Sequence, residues 1–189
     1  MYRMRRTLEI LLILSFVMAF IGAGARADTD RRSDANDATG PLDIAWIKHS
    51  HRTTDAGTHR LVHTIRLYER WPVNRLRHRG FINVFFDLRG NKDGPPERAV
   101  YITYDGGKLR AELMDFATDP PRFLRRLPLR RPNGRTVRFT LRKSDLRRRP
   151  FSYYRWQAVS FIEEGHRLCG RSGGCDDRAP NRGYLRHNL

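Results

Sequence analysis

From residue 42 onward the chain runs in short segments rich in β-branched and aromatic residues, separated by glycine, proline, asparagine and aspartate, and no helical apolar period persists. Residues 61–68 carry the cleanest alternation. Leu61, His63, Ile65 and Leu67 fall on one side and Val62, Thr64, Arg66 and Tyr68 on the other, which assigns the first set to the core face of a strand. Residues 42–51 form the strand before it. Residues 81–88 are almost continuously apolar and predict a central strand buried on both faces. The turn from Asn91 to Pro96 ends that strand, because proline cannot donate to the ladder.

Asp105-Gly106-Gly107 lies between segments 98–104 and 108–116 and predicts a tight hairpin, glycine being the residue that accepts positive φ. Asn133-Gly134 plays the same part between 123–131 and 136–141, with Val137, Phe139 and Leu141 inward and Arg138 and Thr140 outward. In the last strand, 153–162, Trp156, Ala158 and Ser160 take one side and Gln157, Val159 and Phe161 the other. About eight strands joined mainly by hairpins predict an all-β fold, an antiparallel β-sandwich of jelly-roll or immunoglobulin-like kind over residues 41–165. Residues 28–40 are polar and charged, and the expectation for them is a disordered leader.

The N-terminus sets the compartment. Arg3, Arg5 and Arg6 precede an apolar run over 10–25, and Ala25-Arg26-Ala27 presents small residues where a signal peptidase reads them. A signal peptide over 1–27 and a secreted or extracytoplasmic domain follow as expectations. Arg5-Arg6-Thr7-Leu8 leaves a twin-arginine route open. A membrane enters only through this segment, which is shorter than the roughly 20 apolar residues of a spanning helix. Cys169 and Cys175, with Gly170, Gly173 and Gly174 between them, then predict a short disulfide loop in a C-terminal tail over 166–189. Such a loop stabilises by about 2 kcal/mol.

The formal net charge of +17 points to a polyanionic partner. However, 33 of the 37 basic residues are arginine, a bias that GC-rich codon usage produces unaided. For an exported chain no specific nucleic acid is expected, and salt-sensitive adhesion to an anionic envelope polymer is the electrostatic reading.

Val84-Phe85-Phe86-Asp87-Leu88 with the polar loop Asn91-Lys92-Asp93-Gly94, the 136–145 stretch with its turn Lys143-Ser144-Asp145-Leu146, and the strand around Trp156 together form a recognisable pattern. Over 42–162 it resembles the β-sandwich shared by DOMON-type domains and CBM9-like carbohydrate-binding modules. That resemblance implies a ligand-binding rather than catalytic domain, with sugar or haem as ligand classes. No Met and His pair is placed for haem, and the cysteine tail lies outside the pattern.

Among candidate sites, His49, His51, His59 and His63 stand at spacings that share a strand face, so a hairpin could bring four nitrogens toward Zn2+ or Cu2+. Against this, His63 shares its parity with core leucines. Asp87, Asn91 and Asp93 beside Gly94 offer oxygen ligands for Ca2+, without EF-hand spacing, or else simply build the turn. Asp176-Asp177 near Asn181 is a second acidic group of this kind. Trp46 and Trp156 read as core, and Trp71, next to Pro72, is the candidate carbohydrate platform. No catalytic residue is assigned: nucleophile elbow, P-loop and His-Glu-x-x-His motifs are absent, and adjacent Glu163 and Glu164 would point apart on a strand. The expectation is an exported non-catalytic binding domain without a required cofactor, its partner an envelope or extracellular glycan, an anionic polymer or a protein. A metal-dependent hydrolase using the histidine group and a non-specific cationic surface-adhesion protein are the other readings.

Overall fold

The structure, a computed structural model, describes residues 29–38, 40–54, 56–77, 80–90, 95–146, 152–162 and 175–189. The expected signal segment 1–27, Asn91, Asp93 and Cys169 lie outside the described residues. Two antiparallel sheets face one another. The smaller has the order β1 (Thr29–Ser33), β2 (Ile44–Thr53), β3 (His59–Leu67), β9 (Thr136–Arg142), β8 (Leu129–Asn133). The larger runs β11 (Cys175–Ala179), β10 (Tyr153–Ile162), β4 (Gly80–Asp87), β5 (Arg98–Asp105), β6 (Lys108–Asp115), β7 (Arg122–Leu127), and β12 (Leu185–Asn188) also pairs with β10. A one-turn helix, α1 (Lys143–Leu146), follows β9.

The core lies between the sheets, and strand parity decides which side chains enter it. Leu61, Ile65, Leu67, Val137, Phe139 and Leu141 come from the smaller sheet and Ile82, Val84, Phe86, Val100, Ile102 and Trp156 from the larger, all fully buried. Polar bonds also cross the gap: Ser160 Oγ donates to the Leu42 carbonyl at 2.6 Å, and Tyr154 Oη lies 3.1 Å from His63 Nε2. Gly106 and Gly107 form the β5–β6 turn at φ +56° and +80°, so the hairpin predicted there rests on the glycine conformation it required.

Four expectations need correction. The leader supplies a strand: β1 pairs with β2 from Thr29↔Ser50 to Ser33↔Trp46, because a sheet edge offers unpaired backbone groups even to an all-polar segment. Arg31 adds to this by lying 4.5 Å over the Trp46 ring. The single strand expected over 123–131 is two strands that break at Pro128. Lacking an N–H, Pro128 ends β7 in the larger sheet, while its carbonyl accepts from Thr140 N and starts β8 in the smaller.

The C-terminal tail is part of the larger sheet. β11 covers one half of the β10 edge and β12 the other, from Ile162↔Cys175 to Tyr153↔Asn188, and Ala179 and His187 are buried. Cys175 is not a free thiol, and the predicted partner Cys169 lies outside the described residues. Lastly, β4 is central but not fully buried on its outer face, where Phe81 and Phe85 stay partly exposed beside the buried Asn83. Those rings begin the site described next.

Candidate functional site

Outward positions of β10, β4 and β5 fall in register and build a floor. Phe161 pairs with Phe81, Val159 with Asn83 and then Tyr101, and Gln157 with Phe85. The Phe81 and Phe161 rings stack at 5.0 Å, and Tyr101 meets Phe81 edge-on at 6.4 Å. Asp176 and Arg178, the outward residues of β11, form one wall together with Tyr184. The resulting cleft has a volume of about 530 Å³.

Two amides lie in this aromatic floor. Gln157 Nε2 donates to the Pro180 carbonyl at 3.0 Å, which fixes the side chain against the loop between β11 and β12. Asn83 is 3% exposed, and its Oδ1 has no hydrogen-bond partner among the described residues. An unsatisfied buried acceptor costs about 1–3 kcal/mol, and a ligand hydroxyl or N–H would relieve that cost once the side chains that close it off from solvent shift aside. Burial raises the phenol pKa values of Tyr101 and Tyr184, with Asp87 adding to the effect at Tyr184, so both hydroxyls remain neutral donors. The arrangement combines apolar ring faces, a buried acceptor, neutral hydroxyls and one charge of each sign at the rim. Few fixed polar groups on an apolar floor is the usual composition of a small-ligand site.

The predicted histidines do share one face of the β2–β3 hairpin: His49 pairs with His63, His51 with Leu61 and Thr53 with His59. Instead of converging, they form a file. His51 Nε2 lies 2.8 Å from His59 Nδ1 near the rim, the His51 ring is 6.0 Å from His187, His187 is 3.5 Å from His49, and His49 is 6.0 Å from His63 in the core. His187 escaped the sequence reading because it reaches this face from the opposite sheet. His63 stacks on Phe139 at 5.2 Å, and burial first, then His49 and His187, pushes its pKa well below the usual value. Among the described residues no three donor atoms of these histidines approach within 4.8 Å of one another, so the expected Zn2+ or Cu2+ centre is not assembled.

Asp87 is likewise committed elsewhere. One oxygen takes Arg155 through Nε at 2.8 Å and Nη2, and the other accepts the backbone N–H groups of Arg89 and Gly90. That is an ion pair and a turn rather than an open Ca2+ ligand. Trp71 is 2% exposed, with Arg131 lying 4.6 Å over its ring and its backbone N–H donating to the Gly134 carbonyl. The carbohydrate-platform reading of Trp71 therefore fails, because the indole is buried under Arg131 of β8. The aromatic cleft took its place, and its signal was present in the outward set Gln157, Val159 and Phe161 and in the two-sided apolarity of β4. No protein-family model, no curated protein and no solved structure matches this chain.

Proposed function

We propose that this chain is an exported, non-catalytic binding domain that takes an envelope or extracellular glycan in the cleft on the outer face of its larger sheet. The observation that carries the reading is Asn83, a buried unpartnered acceptor set among stacked aromatic rings. A pyranose presents apolar C–H faces and a ring of hydroxyl donors. The first would lie on Phe81, Phe161 and Tyr101, and the second would reach Tyr184 and the Asp176–Arg178 rim, and Asn83 once the side chains over its oxygen shift. Export rests on the N-terminal signal pattern, and a Cys169–Cys175 disulfide would brace β11, which carries the cleft wall.

The test is calorimetric titration of the purified protein against a panel of soluble oligosaccharides, with Phe161→Ala and Tyr101→Ala beside the wild type. Binding by at least one glycan, weakened roughly tenfold or more by either change while the thermal unfolding stays cooperative, is the expected result. Binding that survives both substitutions, or no binding by any glycan, would overturn the assignment. Salt separates this reading from cationic adhesion, because stacking and hydrogen bonding persist at about 0.5 M salt whereas surface charge attraction does not.

A further inference from the structure

A second group of side chains lies on the other side of β11, where the leader meets the C-terminal strand. One carboxylate oxygen from each of Asp34, Asp37 and Asp177 falls within 4.8 Å of the others. Asp34 and Asp37 follow β1, and Asp177 projects inward from β11, so residues far apart in the chain meet at one point. Asp43 lies close enough to interact electrostatically with all three, most strongly with Asp177. Asp43 is 4% exposed and its Oδ1 has no hydrogen-bond partner among the described residues, and Oδ2 of Asp34 is also unpartnered.

In a chain of net charge +17, four carboxylates have gathered, and no basic side chain among the described residues forms an ion pair with them. Among the described residues the ion pairs engage other acids, and Arg178 turns to Asp176 instead. Burial and mutual repulsion push Asp34 and Asp43 up to about 7, as expected of acids crowded without a countercharge. Some oxygens of the cluster are already held: Asp177 accepts the Ile44 N–H on Oδ2 at 2.5 Å and the Arg178 N–H on Oδ1 at 2.6 Å, and Asp37 Oδ2 accepts Asn181 Nδ2 at 2.5 Å. These bonds orient the two carboxylates and leave oxygens of Asp34 and Asp43 unused. An open cavity lined by Asp37, Asp176, Asp177, Asn181 and, paired to Asp176, Arg178 leads to the group from solvent.

We infer that Asp34, Asp37 and Asp177, with the buried carboxylate of Asp43 beside them, form a divalent-cation site that ties the leader to the closing strand, with Ca2+ as its ion. All the donors are hard oxygens, which disfavours Zn2+ and Cu2+. Ligands on opposite sides of Ca2+ stand about 4.6–5.2 Å apart, so the observed spread needs little closing, whereas the tighter octahedron of Mg2+ needs more. This site is separate from the cleft and does not depend on the glycan reading.

Terbium serves as a luminescent substitute, because Tyr68, whose hydroxyl donates to the Asp34 carbonyl at 2.7 Å, stands ready to sensitise it. The experiment takes the purified protein freed of metal by a chelator and adds Tb3+, Ca2+, Mg2+ or Zn2+ separately. The expected result is tyrosine-sensitised Tb3+ emission that Ca2+ displaces at least tenfold more effectively than Mg2+, together with a Ca2+-dependent rise in melting temperature of roughly 5 °C or more. In Asp37→Asn and in Asp43→Asn both responses should fall at least tenfold in Ca2+ affinity, and the metal-free melting temperature should hold or rise because repulsion is relieved. Tyr68→Phe should lose the emission yet keep the Ca2+-dependent melting shift. No response to Ca2+ and Tb3+, a response to Zn2+ alone, or an unchanged response in both aspartate variants would overturn the site.

Discussion

Asn83 and His63 are buried polar side chains whose surroundings lead to different predictions. Asn83 faces outward into the cleft with an unpartnered oxygen, so Asn83→Ala removes no internal hydrogen bond made by that atom. The expected outcome is a loss of glycan affinity of roughly tenfold or more with unfolding free energy changed by about 1 kcal/mol or less, read by calorimetry and urea denaturation. His63 faces inward among Phe139, Trp156, Phe86, Tyr154, His49 and His187. Its folded pKa lies below the unfolded value of 6.5, so the unfolded chain binds this proton first. Stability is therefore full above about pH 6.5 and falls as pH drops below it, by up to about 1.4 kcal/mol per unit for this proton. Urea titrations at several pH values should show that slope, and His63→Phe should reduce it; an unchanged slope in the variant would contradict the assignment. Parity with Leu61 and Ile65 had already marked His63 as a core residue. No such local signal could show that Arg131 would cover Trp71, because exposure there is set by chain remote in sequence.

At the scale of elements, hairpins were legible wherever a turn carried its own chemistry. Gly107 has positive φ and nothing within 4 Å of an added Cβ, so Gly107→Ala isolates the backbone term. It should cost about 1–2 kcal/mol with cooperativity intact, measured by denaturant unfolding. A smaller cost than a few tenths would mean the turn relaxes to another type. Three features were not legible for a common reason: β1, the β7–β8 switch at Pro128 and the pairing of β11 and β12 with β10 all concern sheet edges. Edge pairing is driven by backbone groups, and those are the same in every residue type except proline. The all-polar β1 consequently read as a leader. The outward face of β4 was misjudged differently, since an apolar run signals two apolar faces without saying whether protein or ligand covers the second.

For the whole molecule, β11 is the element on which both sites converge. Its outward residues Asp176 and Arg178 line the cleft, and its inward Asp177 belongs to the carboxylate group. The arginine-rich surface is spread over both sheets, and the account gives it no role in recognising the glycan. High salt should therefore leave glycan affinity within about threefold of its low-salt value, as measured by calorimetry, because the contacts invoked are stacking and short hydrogen bonds. The most direct test of the cleft is an NMR titration of the isotopically labelled protein with a bound oligosaccharide at about 0.5 M salt. Shift changes should concentrate at outward positions of β4, β5, β10 and β11, led by Asn83, Tyr101, Gln157 and Phe161. Changes centred on the arginine clusters and abolished by salt, or changes confined to the histidine file, would contradict it.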